Sequence, residues 1–582
     1  MRGEEEMKFF HVYNDWHIKG LEKNNLINED TGFKIQHAFS VPGELKFNKL
    51  AAKGGALHSI IKENKTPFYV DRITGGITYH KYNFDKELIR EYENILGDWF
   101  LGFQFHESAS NMFDADWTYL VRDMGGNKGP YDVEEIKKIR LLKKRNVEDD
   151  ALLYGFSQGS PEEYAVRKYP ETSEEFLAQY VEMYKMRLEE TDGHILPVDS
   201  YYLLSKLHNE LGAKTFFPEV GWQIGQMRIA VASARGTAHN AGKTWGTYYE
   251  TWIAAPTEFD ASMPCFNNHP SNEWYLTQQQ HGDDFTTHGP GGGSSRRLQK
   301  RIYYYSLMAG ADYMGEEWGL NCSYTDMETF ELSEYGLAKK EFIEFIRDYK
   351  KVKARVPFAI VLPNEYYCVQ VENPFRPHHK GIHRDKYMQC ILGDEQKAFN
   401  GYIEDIINLI YEVDGGHIGN EGHTLTNSRF GDLFDIIYED AGEEVFAKYA
   451  GLIDASPDGR TFAKYGDKFR VFKGDDLEKL EADIKEYSKE VLPVTVDKLL
   501  WVVSDDEKGR YVSIFNNEGN HRERPEGDHI LHEADARVKV SFKDAANLEA
   551  VKLSSPDIKI EKVDDKTYFV DMPATEFAIF KY

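Results

Sequence analysis

Short apolar segments alternate with helix-like segments through the first 350 residues of this 582-residue chain. The apolar runs predict eight strands, at 8–13, 34–39, 67–71, 99–106, 195–199, 215–218, 245–249 and 311–314. The stretches between and after them have helical periodicity, at 44–63, 85–96, 173–190, 201–211, 226–241, 297–309 and 333–349. Strands that alternate with helices predict an α/β fold with parallel strands, and eight such strands predict a closed (β/α)8 TIM barrel.

Two smaller regions follow the predicted barrel, which covers residues 1–352. Residues 353–490 alternate buried-type strands with helices, which predicts an α/β domain of Rossmann-like or flavodoxin-like outline. That region has no GxGxxG motif, so we expect no dinucleotide and no other cofactor. Residues 491–582 contain short strands separated by turns, which predicts a small antiparallel β-sandwich.

The charge balance restricts the partners of the protein. The chain has 97 acidic and 70 basic residues, a formal net charge of −27, and no basic tract that offsets it locally. An acidic surface repels phosphate backbones and anionic lipids, so nucleic acid and membranes are disfavoured as partners. The chain also lacks an apolar run of about 18 residues, so we expect no membrane-spanning segment.

Cysteine usage and the N-terminal residues predict the location of the protein. The four cysteines, Cys265, Cys322, Cys368 and Cys390, form no CxxC pair, so neither a zinc knuckle nor a redox motif is expected. So few thiols in a long chain favour a reducing compartment. Residues 1–10 lack the apolar core of a secretion signal. We expect a cytoplasmic protein; a secretion signal removed beforehand is the alternative.

Five glutamates lie at or just past the carboxyl ends of predicted barrel strands: Glu107, Glu219, Glu250, Glu316 and Glu317. Barrel active sites are built at that end, and buried carboxylates are costly unless they are paired or functional. Glycoside cleavage needs two carboxyl groups, one to protonate the leaving oxygen and one to attack the anomeric carbon or activate water. The pattern therefore predicts a glycoside hydrolase with a carbohydrate substrate. Taken singly, Glu107 also fits a strand-end ion pair and Glu250 a loop cap.

Counting strands assigns roles to two of these glutamates. With strand eight at 311–314, Glu250 ends strand seven and Glu107 ends strand four. This placement resembles the clan A retaining glycosidases, in which the acid/base ends strand four and the nucleophile ends strand seven. The resemblance implies an exo-acting enzyme on a β-linked sugar, with Glu107 as acid/base and Glu250 as nucleophile. His106 stands where the clan usually has an asparagine that binds the sugar 2-hydroxyl.

The order of the three regions resembles the family-42 β-galactosidases and the family-164 β-mannosidases. That resemblance implies a homo-oligomer, a trimer, assembled through the middle region. The expected substrate contacts come from residues at the predicted strand ends, namely His106, Glu219, Tyr249, Trp252, Glu316, Glu317 and Trp318. Trp318 is a candidate platform for a sugar ring, since aromatic faces bury the apolar side of such ligands, and a packing residue at the barrel rim is the alternative.

Other functions fit parts of the same pattern. His37, Asp71, His106 and Glu107 lie near predicted strand ends and could bind a divalent ion in a metal-dependent enzyme, although we expect no metal because no HxH or HExxH spacing occurs. An inverting hydrolase with another carboxylate pair and a non-catalytic carbohydrate-binding barrel are further alternatives. The glycine-rich stretch 287–295 lacks the Gly-Lys-Ser/Thr ending of a phosphate loop and is interpreted as part of a lid or specificity loop.

Overall fold

The computed structural model of the protein describes fourteen segments of the chain. They are residues 6–13, 18–35, 51–70, 86–106, 172–199, 203–221, 225–250, 294–317, 323–326, 328–364, 394–413, 416–419, 421–523 and 527–582. No helix in these segments combines the length and apolarity needed to cross a bilayer.

Eight parallel strands form a closed barrel, which confirms the predicted (β/α)8 core. The strands are β1 (Lys8–Tyr13), β2 (Thr31–Ile35), β3 (Phe68–Val70), β4 (Phe100–His106), β5 (Ile195–Asp199), β6 (Thr215–Gly221), β7 (Thr244–Glu250) and β8 (Tyr313–Glu316). The barrel closes where β1 pairs with β8, with Lys8 opposite Tyr313. The hydrogen bonding between strands therefore gives each strand its place in the barrel. The fourth and seventh strands, β4 and β7, are those that the sequence count predicted.

Helices follow the strands and cover the barrel. They are α1 (Ile18–Lys23), α2 (His58–Asn64), α3 (Lys86–Leu96), α4 (Ser173–Glu190), α5 (Ser205–Glu210), α6 (Met227–Ala241), α7 (Arg296–Met308) and α8 (Glu334–Asp348). A short hairpin, β9 (Tyr324–Asp326) and β10 (Glu331–Leu332), precedes α8. The helix predicted at 44–63 begins only at His58 in the described part of the chain. Gly54 has a φ of +88°, which a right-handed helix does not accommodate.

Aromatic and aliphatic side chains fill the barrel interior. Phe10, Tyr69, Leu196, Val198, Phe217 and Tyr248 form one buried cluster. Within it Phe217 stacks on Tyr313 with ring centroids 5.9 Å apart. A second, larger cluster lies between the strands and the helices. The interior is thus a packed core up to the carboxyl ends of the strands, where polar side chains begin.

A four-stranded parallel sheet with helices follows the barrel. Its strands are β12 (Phe358–Leu362), β13 (Phe434–Tyr438), β14 (Gly451–Asp454) and β15 (Val471–Lys473), in the order β13-β12-β14-β15. Its helices are α9 (Asp394–Tyr411), α10 (Glu443–Phe446), α11 (Arg460–Tyr465) and α12 (Leu477–Val491). This is an α/β layer as predicted; its Rossmann-like or flavodoxin-like type and its domain boundaries stay predictions.

The C-terminal region consists of antiparallel strands. One sheet has the order β11-β17-β18-β25-β22 and a second the order β16-β21-β24-β23. These strands are β11 (Lys353–Ala354), β16 (Val494–Val496), β17 (Leu500–Asp506), β18 (Gly509–Phe515), β21 (Ala536–Phe542), β22 (Glu549–Leu553), β23 (Lys559–Lys562), β24 (Thr567–Met572) and β25 (Phe577–Lys581). A separate hairpin is formed by β19 (Asn520–Glu523) and β20 (Gly527–Ile530). Side chains of both larger sheets belong to one buried cluster, as in two sheets packed face to face.

Candidate active site

Three ionisable side chains converge at the carboxyl ends of β4, β6 and β8. His106 ends β4, Glu219 lies near the end of β6, and Glu317 directly follows β8. They are 1%, 1% and 3% exposed, respectively. Their nitrogen and oxygen atoms lie within 4.8 Å of one another, and His106 Nε2 is 3.4 Å from Glu317 Oε1. We call these three residues the mouth cluster, because they lie where the barrel opens.

Strand periodicity explains why these side chains meet. Successive side chains of a strand point to opposite faces of the sheet. Phe217 on β6 packs in the barrel interior against Tyr313 of β8. Glu219 lies two residues after Phe217, and Glu317 lies four residues after Tyr313, so both share the interior face. The predicted contacts Glu219, Glu317 and His106 are therefore brought together.

Gln104 orients His106. It lies two residues earlier on β4, is fully buried, and its Nε2 contacts His106 Nδ1 at 2.8 Å. When the amide donates to Nδ1, the imidazole proton is on Nε2, on the side of Glu317. His106 then offers an N–H donor beside the two carboxylates. Sequence reasoning missed Gln104, although its two-residue spacing from His106 was the available signal.

Lys34 is a second residue that sequence reasoning missed. It lies on β2 with no exposed surface, and its Nζ donates to Tyr248 Oη at 2.5 Å. It also donates to the carbonyl oxygens of Glu317 at 2.8 Å and Glu316 at 3.3 Å. A buried ammonium group is costly unless it is hydrogen-bonded, and these acceptors join β2 to β7 and β8. A lone charge inside an otherwise apolar strand was the signal in the sequence.

Glu316 and Tyr249, which were predicted to contact substrate, lie on the other side of their strands. Glu316 is fully buried, forms an ion pair with Lys339 of α8 at 2.6 Å, and accepts a hydrogen bond from Tyr303 of α7. The ring of Tyr249 packs edge-on against Tyr303 at 5.8 Å. Both side chains thus face the helices, because adjacent positions on a strand alternate. The structure therefore does not bring these two residues into the mouth cluster.

The environment of Tyr303 keeps this outer contact intact. Burial and the neighbouring charge of Glu316 raise the pKa of the Tyr303 phenol well above its ordinary value. The phenol therefore remains protonated and can donate to the Glu316 carboxylate. We interpret Glu316, Tyr303 and Lys339 as a structural connection between β8 and the helices α7 and α8.

Of the predicted catalytic pair, the structure describes the backbone of Glu250 and not Glu107. Glu250 is the last residue of β7, opposite Gly221 of β6 in the parallel register. Glu107 is the residue after His106, with which β4 ends. Glu107 itself lies outside the described residues, as do Trp252, Trp318, His37 and Asp71. Of the glycine-rich stretch 287–295, the described part is Ser294 and Ser295, and Ser295 caps the N-terminus of α7.

The mouth cluster also has the composition of a metal site. Imidazole nitrogen and carboxylate oxygen are ligands for zinc, manganese and iron. One such atom from each of His106, Glu219 and Glu317 could face a common ion. Among the residues named for a metal-dependent enzyme from the sequence, His106 is the member that the described structure places in this cluster.

Comparisons with known proteins give weak matches. No family model and no curated protein matches the chain. Among solved structures, GH5_18 from Streptomyces cattleya in complex with GlcNAc is 10% identical, covers 81% of this chain and 100% of its own, and has a TM-score of 0.31. A β-galactosidase from Rahnella sp. R3 is 9% identical and has a TM-score of 0.39. The match covers 100% of this chain and 99% of the β-galactosidase chain. GH5_18 from Bifidobacterium longum subsp. longum is 10% identical and has a TM-score of 0.33. The match covers 81% of this chain and 98% of the GH5_18 chain. At these values the matches assign neither a family nor an activity.

Proposed function

We propose that the protein is a retaining glycoside hydrolase that removes a β-linked sugar from a chain end, with Glu107 as acid/base and Glu250 as nucleophile. The proposal is supported by the closed barrel and by the sequence positions of the two glutamates relative to its strands. One directly follows β4 and the other ends β7. Both positions belong to the carboxyl end of the barrel, where catalytic residues of this fold gather.

The chemistry needs two steps. In the first, a carboxylate oxygen of Glu250 bonds to the anomeric carbon while the bond from that carbon to the leaving oxygen breaks, and Glu107 gives its proton to that oxygen. In the second, Glu107 takes a proton from water, the water oxygen bonds to the anomeric carbon, and Glu250 is released. The configuration at the anomeric carbon is inverted twice and therefore retained.

The mouth cluster supplies suitable partners for sugar hydroxyl groups. His106 offers an N–H donor, since Gln104 contacts its other nitrogen. Glu219 and Glu317 offer carboxylate acceptors. In this proposal the three bind the terminal sugar, and the rings of Trp252 and Trp318 stack on it. Glu316 and Tyr249 are not included, because they face the helices.

The test is a panel of 4-nitrophenyl β-glycosides combined with proton NMR of the first product anomer. We expect release of nitrophenol from at least one β-glycoside, with the β-anomer of the sugar appearing first. The α-anomer appearing first would contradict retention and favour an inverting carboxylate pair. Binding of sugars without turnover of any glycoside would favour a carbohydrate-binding barrel.

A metal-dependent hydrolase is the second candidate, favoured by the ligand atoms of His106, Glu219 and Glu317 within 4.8 Å of one another. Here a divalent ion would activate water, and the two glutamates at 107 and 250 would be dispensable. Dialysis against EDTA separates the candidates. Loss of activity that zinc or manganese restores supports the metal enzyme, whereas unchanged activity supports the two-glutamate mechanism.

A further inference from the structure

A segment of the second region caps helix α6 of the barrel. We call residues 421–428 the bridging segment. Its carbonyl groups accept hydrogen bonds from two amides at the start of α6: Gln226 N–H donates to His423 O at 2.7 Å, and Met227 N–H donates to Thr424 O at 2.9 Å. The first amides of a helix have no partner within the helix, so these bonds replace a local cap. Gln226 itself is buried in a left-handed conformation with φ +59°, which is costly for a residue other than glycine.

The same segment holds the start of α7 through Glu421. The Glu421 carboxylate accepts from the amide of Ser295 at 2.7 Å and from its Oγ at 2.8 Å. Asn520 of β19 donates to the same carboxylate at 2.8 Å, and Arg301 Nη2 lies 3.6 Å away. Ser295 in turn caps α7 by accepting from Leu298 N–H at 3.0 Å. Three parts of the chain therefore meet on one buried carboxylate.

The charge of Glu421 suits this place. The N-terminus of a helix carries a partial positive charge, so a carboxylate there is stabilising. Hydrogen bonds to a buried ionised group are among the stronger ones, and removing the charge weakens several of them at once. Glu421 is about as buried as the residues of the mouth cluster. Its contacts fix where α7 begins more firmly than the Ser295 cap alone.

Both helix starts lie at the functional end of the barrel. In a (β/α)8 barrel each helix begins after the loop that leaves the carboxyl end of its strand. Helix α6 follows β6, which carries Glu219, and α7 follows β7, which ends with Glu250. The bridging segment thus contacts the sector of the barrel that holds one mouth-cluster residue and the proposed nucleophile.

We propose that the bridging segment positions this sector of the active site, with Glu421 as a positioning residue for the start of α7. The expected effect on the catalytic rate rests on the proposed function, whereas the expected effect on the structure at the start of α7 does not. The second region then has a role in catalysis without supplying a group that touches substrate.

A matched control exists in the same contact between the barrel and the second region. Arg235 of α6 forms buried ion pairs with Asp432 at 2.7 Å and Asp435 at 2.7 Å. These residues are as buried as Glu421. Arg235 lies eight residues after Met227, about 12 Å further along the helix and away from the active-site end. Asp432→Asn therefore disturbs an equivalent ion pair at a distance from the mouth.

The test compares Glu421→Gln with Asp432→Asn in the full-length protein. Hydrogen–deuterium exchange followed by mass spectrometry should show amides of 294–300 exchanging at least about tenfold faster in Glu421→Gln, and at the wild-type rate in Asp432→Asn. On a 4-nitrophenyl β-glycoside that the wild type hydrolyses, Glu421→Gln should lower kcat/KM about tenfold or more through kcat, since small displacements of catalytic groups are costly. Asp432→Asn should stay within about twofold, although both variants lower the melting temperature.

The two readouts separate the failure of this inference from that of the proposed function. Unchanged exchange at 294–300 in Glu421→Gln overturns the positioning role, whatever the enzyme does. Equal losses of kcat/KM in both variants also overturn it, because the effect is then one of stability alone. If no glycoside is hydrolysed by the wild type, the proposed function fails, and the exchange experiment still decides the structural part.

Discussion

Two histidines, His208 and His11, are buried between the barrel strands and their helices. Burial lowers the pKa of His208 to about 3, and burial together with the charge of Lys339 lowers that of His11 to about 3. Both rings have a partner for the neutral form: Tyr180 Oη lies 2.6 Å from His208 Nε2, and His11 Nε2 lies 2.7 Å from the carbonyl oxygen of Leu26. Neutral imidazoles are therefore part of the folded core.

Because these histidines are buried in their neutral form, we expect the protein to lose stability in weak acid. Because the pKa of His208 is lower in the folded than in the unfolded chain, the unfolded state binds more protons below the ordinary value of 6.5. The stabilising contribution is complete above that pH and declines as the pH falls towards 3. Each such histidine should reduce the free energy of unfolding by up to about 1.4 kcal/mol per pH unit in this window.

Urea denaturation of the wild type and His208→Gln at about pH 7 and about pH 5 measures this effect. Glutamine offers a carbonyl oxygen to Tyr180 but does not titrate. We expect the free energy of unfolding to fall less between the two pH values in the variant, by about 1–2 kcal/mol. Equal pH dependence in the two proteins would show that His208 is not buried in neutral form.

Residue types at strand ends could be predicted from the sequence, but their direction could not. The spacing placed His106, Glu219 and Glu317 at the barrel mouth, and the structure brings them together. Glu316 and Glu317 are neighbours, and the sequence offers both equally as substrate contacts. The strand register alone decides which of them faces the helices. Lys34 was unexpected, because its three acceptors come from β7 and β8 and the residue after β8, more than two hundred residues away.

At the scale of elements, apolar periodicity predicted the eight strands of the barrel, but it missed the short buried strands β15 and β16. It also gave no strand for β23, whose four side chains are all exposed at a sheet edge and include a single apolar residue, Ile560. It also started helix α6 one residue early, at Gln226, because the carbonyl groups that cap this helix belong to His423 and Thr424. A cap from a remote segment leaves no local signature.

Lys339 and Glu316 show how an element is fixed by a contact that the sequence does not reveal. Their ion pair joins α8 to the carboxyl end of β8, and Tyr303 of α7 completes it. Removing one partner of a buried pair leaves an uncompensated charge, which is far more costly than the pair itself is stabilising. The end of β8, which precedes Glu317, therefore depends on both flanking helices.

At the scale of the whole molecule, the three regions are connected by buried polar contacts. Arg235 joins α6 to Asp432 and Asp435, and Arg301 of α7 donates to the carbonyl oxygen of Asn516 at 2.9 Å. The barrel and the antiparallel sheets that follow it were predicted from the sequence, since each has its own pattern of strands and helices. The contacts between the regions were not, because they depend on single charged residues far apart in the chain.

Assembly is a prediction at this scale. The resemblance in region order and the absence of a dinucleotide motif in residues 353–490 led us to propose a trimer formed through that region. Light scattering at micromolar concentration should give a mass of about 200 kDa, three copies of the 67.2 kDa chain. A mass equal to one chain would contradict the proposal.

The central claim is that two glutamates, one after β4 and one at the end of β7, perform glycoside cleavage. The measurement that tests it most directly is the turnover of a reactive dinitrophenyl glycoside by Glu250→Ala and Glu107→Ala, with exposed Glu334→Ala as the control. We predict that Glu250→Ala loses at least about a thousandfold in kcat, that Glu107→Ala retains turnover and forms a glycosyl azide when azide is added, and that the control is unchanged. Wild-type turnover by Glu250→Ala, with Glu219→Ala as the inactive variant instead, would contradict the account.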